Sequence, residues 1–272
     1  MNNFIVRSIT GILYVIITIS SIVIGPWCFA SVMFVVSCIS LWEFYDIVSK
    51  KNHPMKFQGM LLGVLSYIAI SLVIFNVISL QWLLLLILPI TAMYIFILYA
   101  GRSNPISDLG ITILGVLYII FPLSLINQIY IYSIDYAIEF ILPLGFFVML
   151  WLNDSGAYIV GSSIGRHRLF ERVSPKKSWE GFFGGALAAI IGGTVIAFFF
   201  SEMNLLFWIA YAVIITIFAT FGDLVESLIK RYLGIKDSGK ILPGHGGMLD
   251  RFDGVFLSVP IIVVFLMILN SL

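Results

Sequence analysis

Charge is what this sequence has least of. Fifteen Lys+Arg and 14 Asp+Glu residues occur in 272, or 11% of the chain, where soluble domains carry about 25%. That scarcity, beside 61% hydrophobic residues, excludes a disordered chain and a basic nucleic-acid module, so no nucleic-acid partner is expected. It excludes a soluble globule too, since a mean hydropathy of +1.09 exceeds what a water-soluble fold carries. Cysteine is nearly absent. Cys28 and Cys38 lie ten residues apart in one apolar segment, about 15 Å along a helix, too far for a bridge. With three histidines and no Cys/His cluster, the sequence offers no zinc site. A long polar linker is also missing. One transmembrane domain, 1–272, is expected, with a scaffold half at 1–150 and a chemically richer half at 151–272. The first holds 10 charges and the second 19.

What is present is long apolar runs. A membrane-crossing helix needs about 20 apolar residues, and nine runs meet that measure, near 5–25, 27–48, 59–78, 80–100, 108–132, 139–161, 181–201, 205–230 and 252–271. The fold class expected is therefore an all-α polytopic membrane protein of about nine helices in a lipid bilayer. The first run is too long for a signal-peptide core and is read as a retained span. Pro122 interrupts the fifth. With nine spans, all 15 basic residues fall on one side, in the amino end and in alternate loops. The positive-inside rule then places the amino terminus and the loops 162–180 and 231–251 in the cytoplasm, and the carboxyl terminus outside.

The acids gather at that cytoplasmic level. After the apolar run 205–221, Asp223, Glu226, Ser227 and Lys230 fall at i, i+3, i+4 and i+7, one polar stripe on an apolar helix. Ionisable groups near the hydrocarbon boundary are costly and face a cavity, a partner or an ion. A plain Glu226–Lys230 pair at i,i+4 is the simpler reading of that end. Asp250 and Asp253, at i and i+3, open the last span; helix capping alone would account for either. Four acids at one level repel unless cations sit among them, and hard oxygen donors favour Mg2+ or Ca2+. Asp154, near the cytoplasmic end of span six, is a fifth.

Two loops suit anions. Ser174-Pro175-Lys176-Lys177-Ser178 is dense in donors and precedes a helix start at Gly181, where a phosphate can bind. Lys236 to Gly247 combines lysines, glycines and His245 without a Walker A motif; its backbone amides and Lys charges could hold an anion. The small residues of span seven, Gly181, Gly184, Gly185, Ala188, Ala189, Gly192 and Gly193, permit close helix packing, and a homodimer contact stays open.

Residues Ser227 to Asp253 closely resemble the signature of the phosphatidate cytidylyltransferase (CDP-diacylglycerol synthase) family, with Lys230, Arg231, Lys236, Asp237, Pro243, His245, Gly246, Gly247, Asp250, Arg251 and Asp253 in place. Upstream, Asp154, Ala157, Tyr158 and Gly161, and then Ser174, Pro175, Lys176, Lys177, Ser178, Glu180 and Gly181, resemble the same family. Ser178 stands where the family more often has Thr. Ser162 and Ser163 follow Gly161 where Gly-Arg is usual, which leaves that basic contact to Arg166 or Arg168. The likeness is strong over about 150–260; over 1–150 it is one of length and span count.

The resemblance implies that CTP and phosphatidic acid give CDP-diacylglycerol and pyrophosphate with Mg2+, a second cation being left open, at the cytoplasmic face of the plasma membrane. It implies Asp223 and Asp250 as metal ligands, with Asp253 and Glu226 as further or supporting ligands. Lys230, Arg231, Lys236 and His245 would bind or stabilise phosphates, as would Lys176, Lys177 and Ser174, and Gly246 and Gly247 would contribute to the nucleotide site. Asp154 would hold a metal or the nucleotide. Competing expectations are a related CTP-using lipid enzyme, such as a CDP-archaeol synthase or polyprenol kinase, and a cation or solute transporter. A transporter would place its charges near the midplane rather than at one boundary.

Overall fold

The structure, a computed structural model, describes residues 3–136, 138–239 and 246–271, and of residues 3–8 the backbone alone. The apolar runs form helices: α1 Asn3–Ile24, α2 Pro26–Val48, α3 Lys56–Ile74, α4 Ile87–Tyr99, α5 Pro105–Gly115, α6 Phe121–Asp135, α7 Ile141–Ile164, α8 Trp179–Phe199, α9 Leu205–Tyr232 and α10 Leu249–Ser271. A 3-10 stretch, Leu80–Leu86, leads into α4. Eight helical segments among the described residues are long and apolar enough to cross a membrane, and α1 contributes a shorter apolar stretch, Ile9–Ile24. The protein is an all-α polytopic membrane protein. Along α8, Phe183, Leu187, Ile191, Val195 and Phe198 lie bare on one side. Hydrocarbon tolerates such a stripe and water does not.

The fifth run survives Pro122. A proline inside a helix clashes with the carbonyl four residues earlier, here that of Tyr118. The turn Val116–Ile120 widens to π-type spacing just before the proline, so Pro105–Asp135 continues as one 31-residue segment. The third run ends sooner than its hydropathy suggests, because Asn76 turns the chain at φ 57°. The last begins three residues earlier, at Leu249.

One small departure from all-helix structure lies between α7 and α8. Strand β1, Arg168–Phe170, pairs antiparallel with β2, Ser174–Ser178, in a two-stranded hairpin. Pro175 fits there because both strands of a two-stranded sheet are edges. Glu180 fastens the base of the hairpin, accepting the Arg166 and His167 amide protons at 3.1 and 3.2 Å. Ser178 caps α8 and accepts the amide proton of Gly181 at 3.1 Å. Helix α8 thus starts two residues before the expected Gly181.

The chain divides into two compact units. The first comprises Met1–Asn127 and Leu233–Phe252, the second Gln128–Tyr232 and Asp253–Leu272. In the first, the Tyr45 hydroxyl donates to the Thr112 carbonyl at 2.6 Å and the Met55 amide to Thr112 Oγ1 at 2.9 Å. Asp108, also buried, accepts from the His53 amide and from Arg102, both at 3.1 Å. The carboxyl end of α2 is therefore tied to α5. In the second unit, small residues join α7 to α8: a Cβ on Gly156 would come within 2.8 Å of the Gly184 carbonyl and of Ala188. Trp208 and Tyr211 of α9 are fully buried, and Tyr211 donates to the Leu142 carbonyl at 3.2 Å.

Candidate active site

Helix α9 has 28 residues, about 42 Å of helix against a hydrocarbon core of about 30 Å. Its last turns carry the polar stripe. Glu226, Ser227 and Lys230 are buried and Asp223 is half-buried, so the stripe faces protein. Helix α10 crosses α9 closely at Gly222. A Cβ there would run into the carbonyl oxygen of Asp253 and lie 3.2 Å from the Cα of Gly254. This approach of two backbones brings together acids distant in sequence. Asp223, Glu226 and Asp253 each present a carboxylate oxygen within 4.8 Å of the others.

Oxygens on opposite sides of a bound Mg2+ or Ca2+ are about 4–5 Å apart, twice the metal–oxygen distance. Three carboxylates at this spacing, with no soft donor among them, fit a hard divalent cation. Two cations of the chain already answer part of the charge. Lys177, from β2, forms an ion pair with Asp223, and Lys230 lies 2.8 Å from Glu226. Ser227 donates to Asp223 Oδ1 at 3.1 Å. Asp253 has no ion pair among the described residues; its Oδ1 accepts the Gly254 amide proton at 2.6 Å. Lying a full turn inside α10, Asp253 is not a helix cap. Asp154 of α7 is near enough for its charge to act on Asp253, and Asn153 Nδ2 is 3.5 Å from its Oδ1.

The other expected residues take different places. Lys176 is exposed on β2 and Ser174 half-buried at the start of that strand. Arg231 Nε donates to the Val173 carbonyl at 3.4 Å, fastening the end of α9 to the hairpin turn. Lys236 is exposed. Asp250 is not part of the three-carboxylate group. Its Oδ2 accepts from the Ser238 amide and hydroxyl, both at 2.9 Å, and from the Gly247 amide at 2.8 Å. The Gly247 amide proton is therefore committed to Asp250, and Gly246 takes the left-handed conformation, φ 87°, beside that same carboxylate. His245 lies outside the described residues.

Sequence reasoning passed over Glu43. It is 3% exposed in α2, and its Oε2 accepts the Leu249 amide proton at 2.9 Å. A signal was there: an acid inside an apolar run is a functional candidate by default.

The three-carboxylate group stands beside two lysines, and the cytidylyltransferase family matches residues 5–269. The chain belongs to that family. Individual relatives carry a more specific name. Proteins named phosphatidate cytidylyltransferase are 47% identical over 122 residues in Staphylococcus haemolyticus, 46% over 121 in Staphylococcus epidermidis and 44% over 122 in Staphylococcus aureus. Each match covers 44% of this chain and 46% of the relative. The chain thus spans about half the length of the curated relatives it matches.

Proposed function

We propose that this cytidylyltransferase moves CMP from CTP to phosphatidic acid, giving CDP-diacylglycerol and pyrophosphate. An oxygen of the lipid phosphate attacks the α-phosphorus of CTP. The bond from that phosphorus to the bridging oxygen breaks, and pyrophosphate leaves with the electron pair. The observation that carries this reading is the convergence of Asp223, Glu226 and Asp253 beside Lys177 and Lys230.

Both reactants are polyanions, so the chain must offset repulsion before the lipid phosphate can approach. Asp223, Glu226 and Asp253 would hold a Mg2+ ion, with Asp154 beside them. When bound, the ion supplies charge neutralisation and alignment of the α-phosphorus. Lys177 and Lys230 place ammonium groups at the edge of the acids, where the departing pyrophosphate gains negative charge. Lys176, Ser174 and Arg231 offer further donors on or beside the hairpin. Lys236 and His245 keep the phosphate-binding roles, and Gly246 and Gly247 the nucleotide-site roles, that the motif implies, and Asp250 remains a metal-ligand candidate. The lipid phosphate is itself the nucleophile, so no serine nucleophile is required.

The basic loops argue for a cytoplasmic site in the plasma membrane, where CTP is available. The connections 75–79, 136–140 and 200–204 hold no Lys or Arg.

The test uses purified protein in detergent, CTP labelled at the α- or at the γ-phosphate, and a panel of lipid acceptors. The α-label should enter a CDP-lipid with phosphatidic acid alone, and the γ-label should leave as pyrophosphate. γ-Label in a lipid would indicate a kinase. No labelled lipid with any acceptor would remove the reading.

A further inference from the structure

Glu43, in the first unit, has no part in the scheme above. Glu43 is buried in α2 and reaches across 206 positions of sequence to the start of α10, where Oε2 accepts the Leu249 amide proton at 2.9 Å. A Cβ on Gly239 would collide with Oε1, and one on Gly247 would collide with Oε2. The two sides of the loop meet above this carboxylate: the Cβ of an alanine at 239 would stand 3.3 Å from the Gly247 Cα. Asp250 closes the same junction through Ser238 and Gly247. These glycines are therefore places where backbone lies against an acid, a role distinct from loop flexibility.

Burying a carboxylate in an apolar helix is expensive. The hydrogen bond from the Leu249 amide offsets part of that cost, and the carboxylate in turn lies against two short stretches, 238–239 and 246–249. The helix beneath is itself held fast, since Tyr45, two residues on, is bonded to Thr112. We infer that Glu43 is a positioning residue: it fixes the backbone of 239 and 247–249, and with it the stretch in which Gly246 and Gly247 serve the nucleotide. This inference rests on the nucleotidyl-transfer reading for its consequence and on geometry alone for the loop.

The experiment compares Glu43→Gln, Glu43→Ala and Gly247→Ala with the wild-type chain in detergent. It records hydrogen–deuterium exchange over 236–250, thermal stability, and KM for CTP and for phosphatidic acid separately. Glutamine keeps an acceptor for Leu249, so Glu43→Gln should hold loop protection and leave the CTP KM within about threefold. Glu43→Ala should expose the loop amides and raise the CTP KM about tenfold or more, with the lipid KM nearly unchanged. Gly247→Ala should do the same by collision. Unchanged exchange and CTP KM in Glu43→Ala would overturn the inference, as would equal losses for both substrates in step with falling stability. If Glu43→Ala fails to fold, a normal CTP KM in Gly247→Ala overturns it. A wild-type chain without transfer activity would sink the functional reading instead, and loop exchange would still judge Glu43.

Discussion

Asp223 and Asp253 are 30 positions apart, on different helices, yet their carboxylate oxygens lie within 4.8 Å of each other and of Glu226. The acids meet where α9 and α10 cross at Gly222 and Gly254: the α10 backbone fills the space a side chain on Gly222 would need, and a Cβ on Gly254 would come within 3.1 Å of the Ala219 Cβ. The site is thus built by small residues as much as by acids.

That relationship predicts the effect of enlarging the crossing. Gly222→Leu places a side chain against the Asp253 carbonyl and should push the helices apart. Overpacking of this kind costs about 1–3 kcal/mol, and a shift of 1 Å at the acids can cost about a hundredfold in rate. Activity should therefore fall much further than thermal stability. Equal activity in a folded variant would mean that the close crossing is not needed.

Adjacent lysines on β2 should behave differently. Lys177 is half-buried and paired with Asp223, whereas Lys176 is exposed. Lys177→Met should weaken CTP binding by about 1.5–3 kcal/mol, the worth of a charged hydrogen bond, which is roughly 10–100-fold in KM. Lys176→Met should change it by far less. Steady-state kinetics in varied CTP separates the two, and the reverse ranking would contradict the proposed role of Lys177.

Ser178 serves the fold more than the substrate. Its hydroxyl accepts the Gly181 amide proton that an anion would otherwise receive. Ser178→Ala should lower stability by about 1 kcal/mol, the usual cost of losing a cap, measured by thermal unfolding in detergent. A large change in CTP KM with unaltered stability would show that the hydroxyl contacts the nucleotide.

Much of this arrangement was legible in the sequence, for physical reasons. Span positions follow from hydrocarbon thickness, and the stripe Asp223, Glu226, Ser227, Lys230 follows from helical periodicity. The observed Glu226–Lys230 pair is the i,i+4 contact that periodicity allows. Pro122 obscured the fifth span because a widened turn, invisible to hydropathy, absorbs the clash. The hairpin at 168–178 escaped because two short polar strands with a proline carry no alternation to read. Asp250 looked equivalent to Asp253 from spacing alone. The structure separates them, since Asp250 lies in the first turn and reaches back to its own loop while Asp253 faces α9. Glu43 went unread because its partner, the Leu249 amide, is 206 positions away, and no local pattern encodes such a tie.

The most direct test of the account asks whether the three carboxylates hold the divalent ion. Mn2+, a spectroscopic substitute for Mg2+, can be titrated into purified wild-type protein and into Asp223→Asn and Asp253→Asn, with bound ion followed by electron paramagnetic resonance and CDP-lipid formation measured on the same samples. The account predicts that the wild type binds Mn2+, that chelator removes both ion and activity, and that each variant loses both by orders of magnitude while remaining folded. Full Mn2+ binding and near-normal turnover in either variant would contradict it.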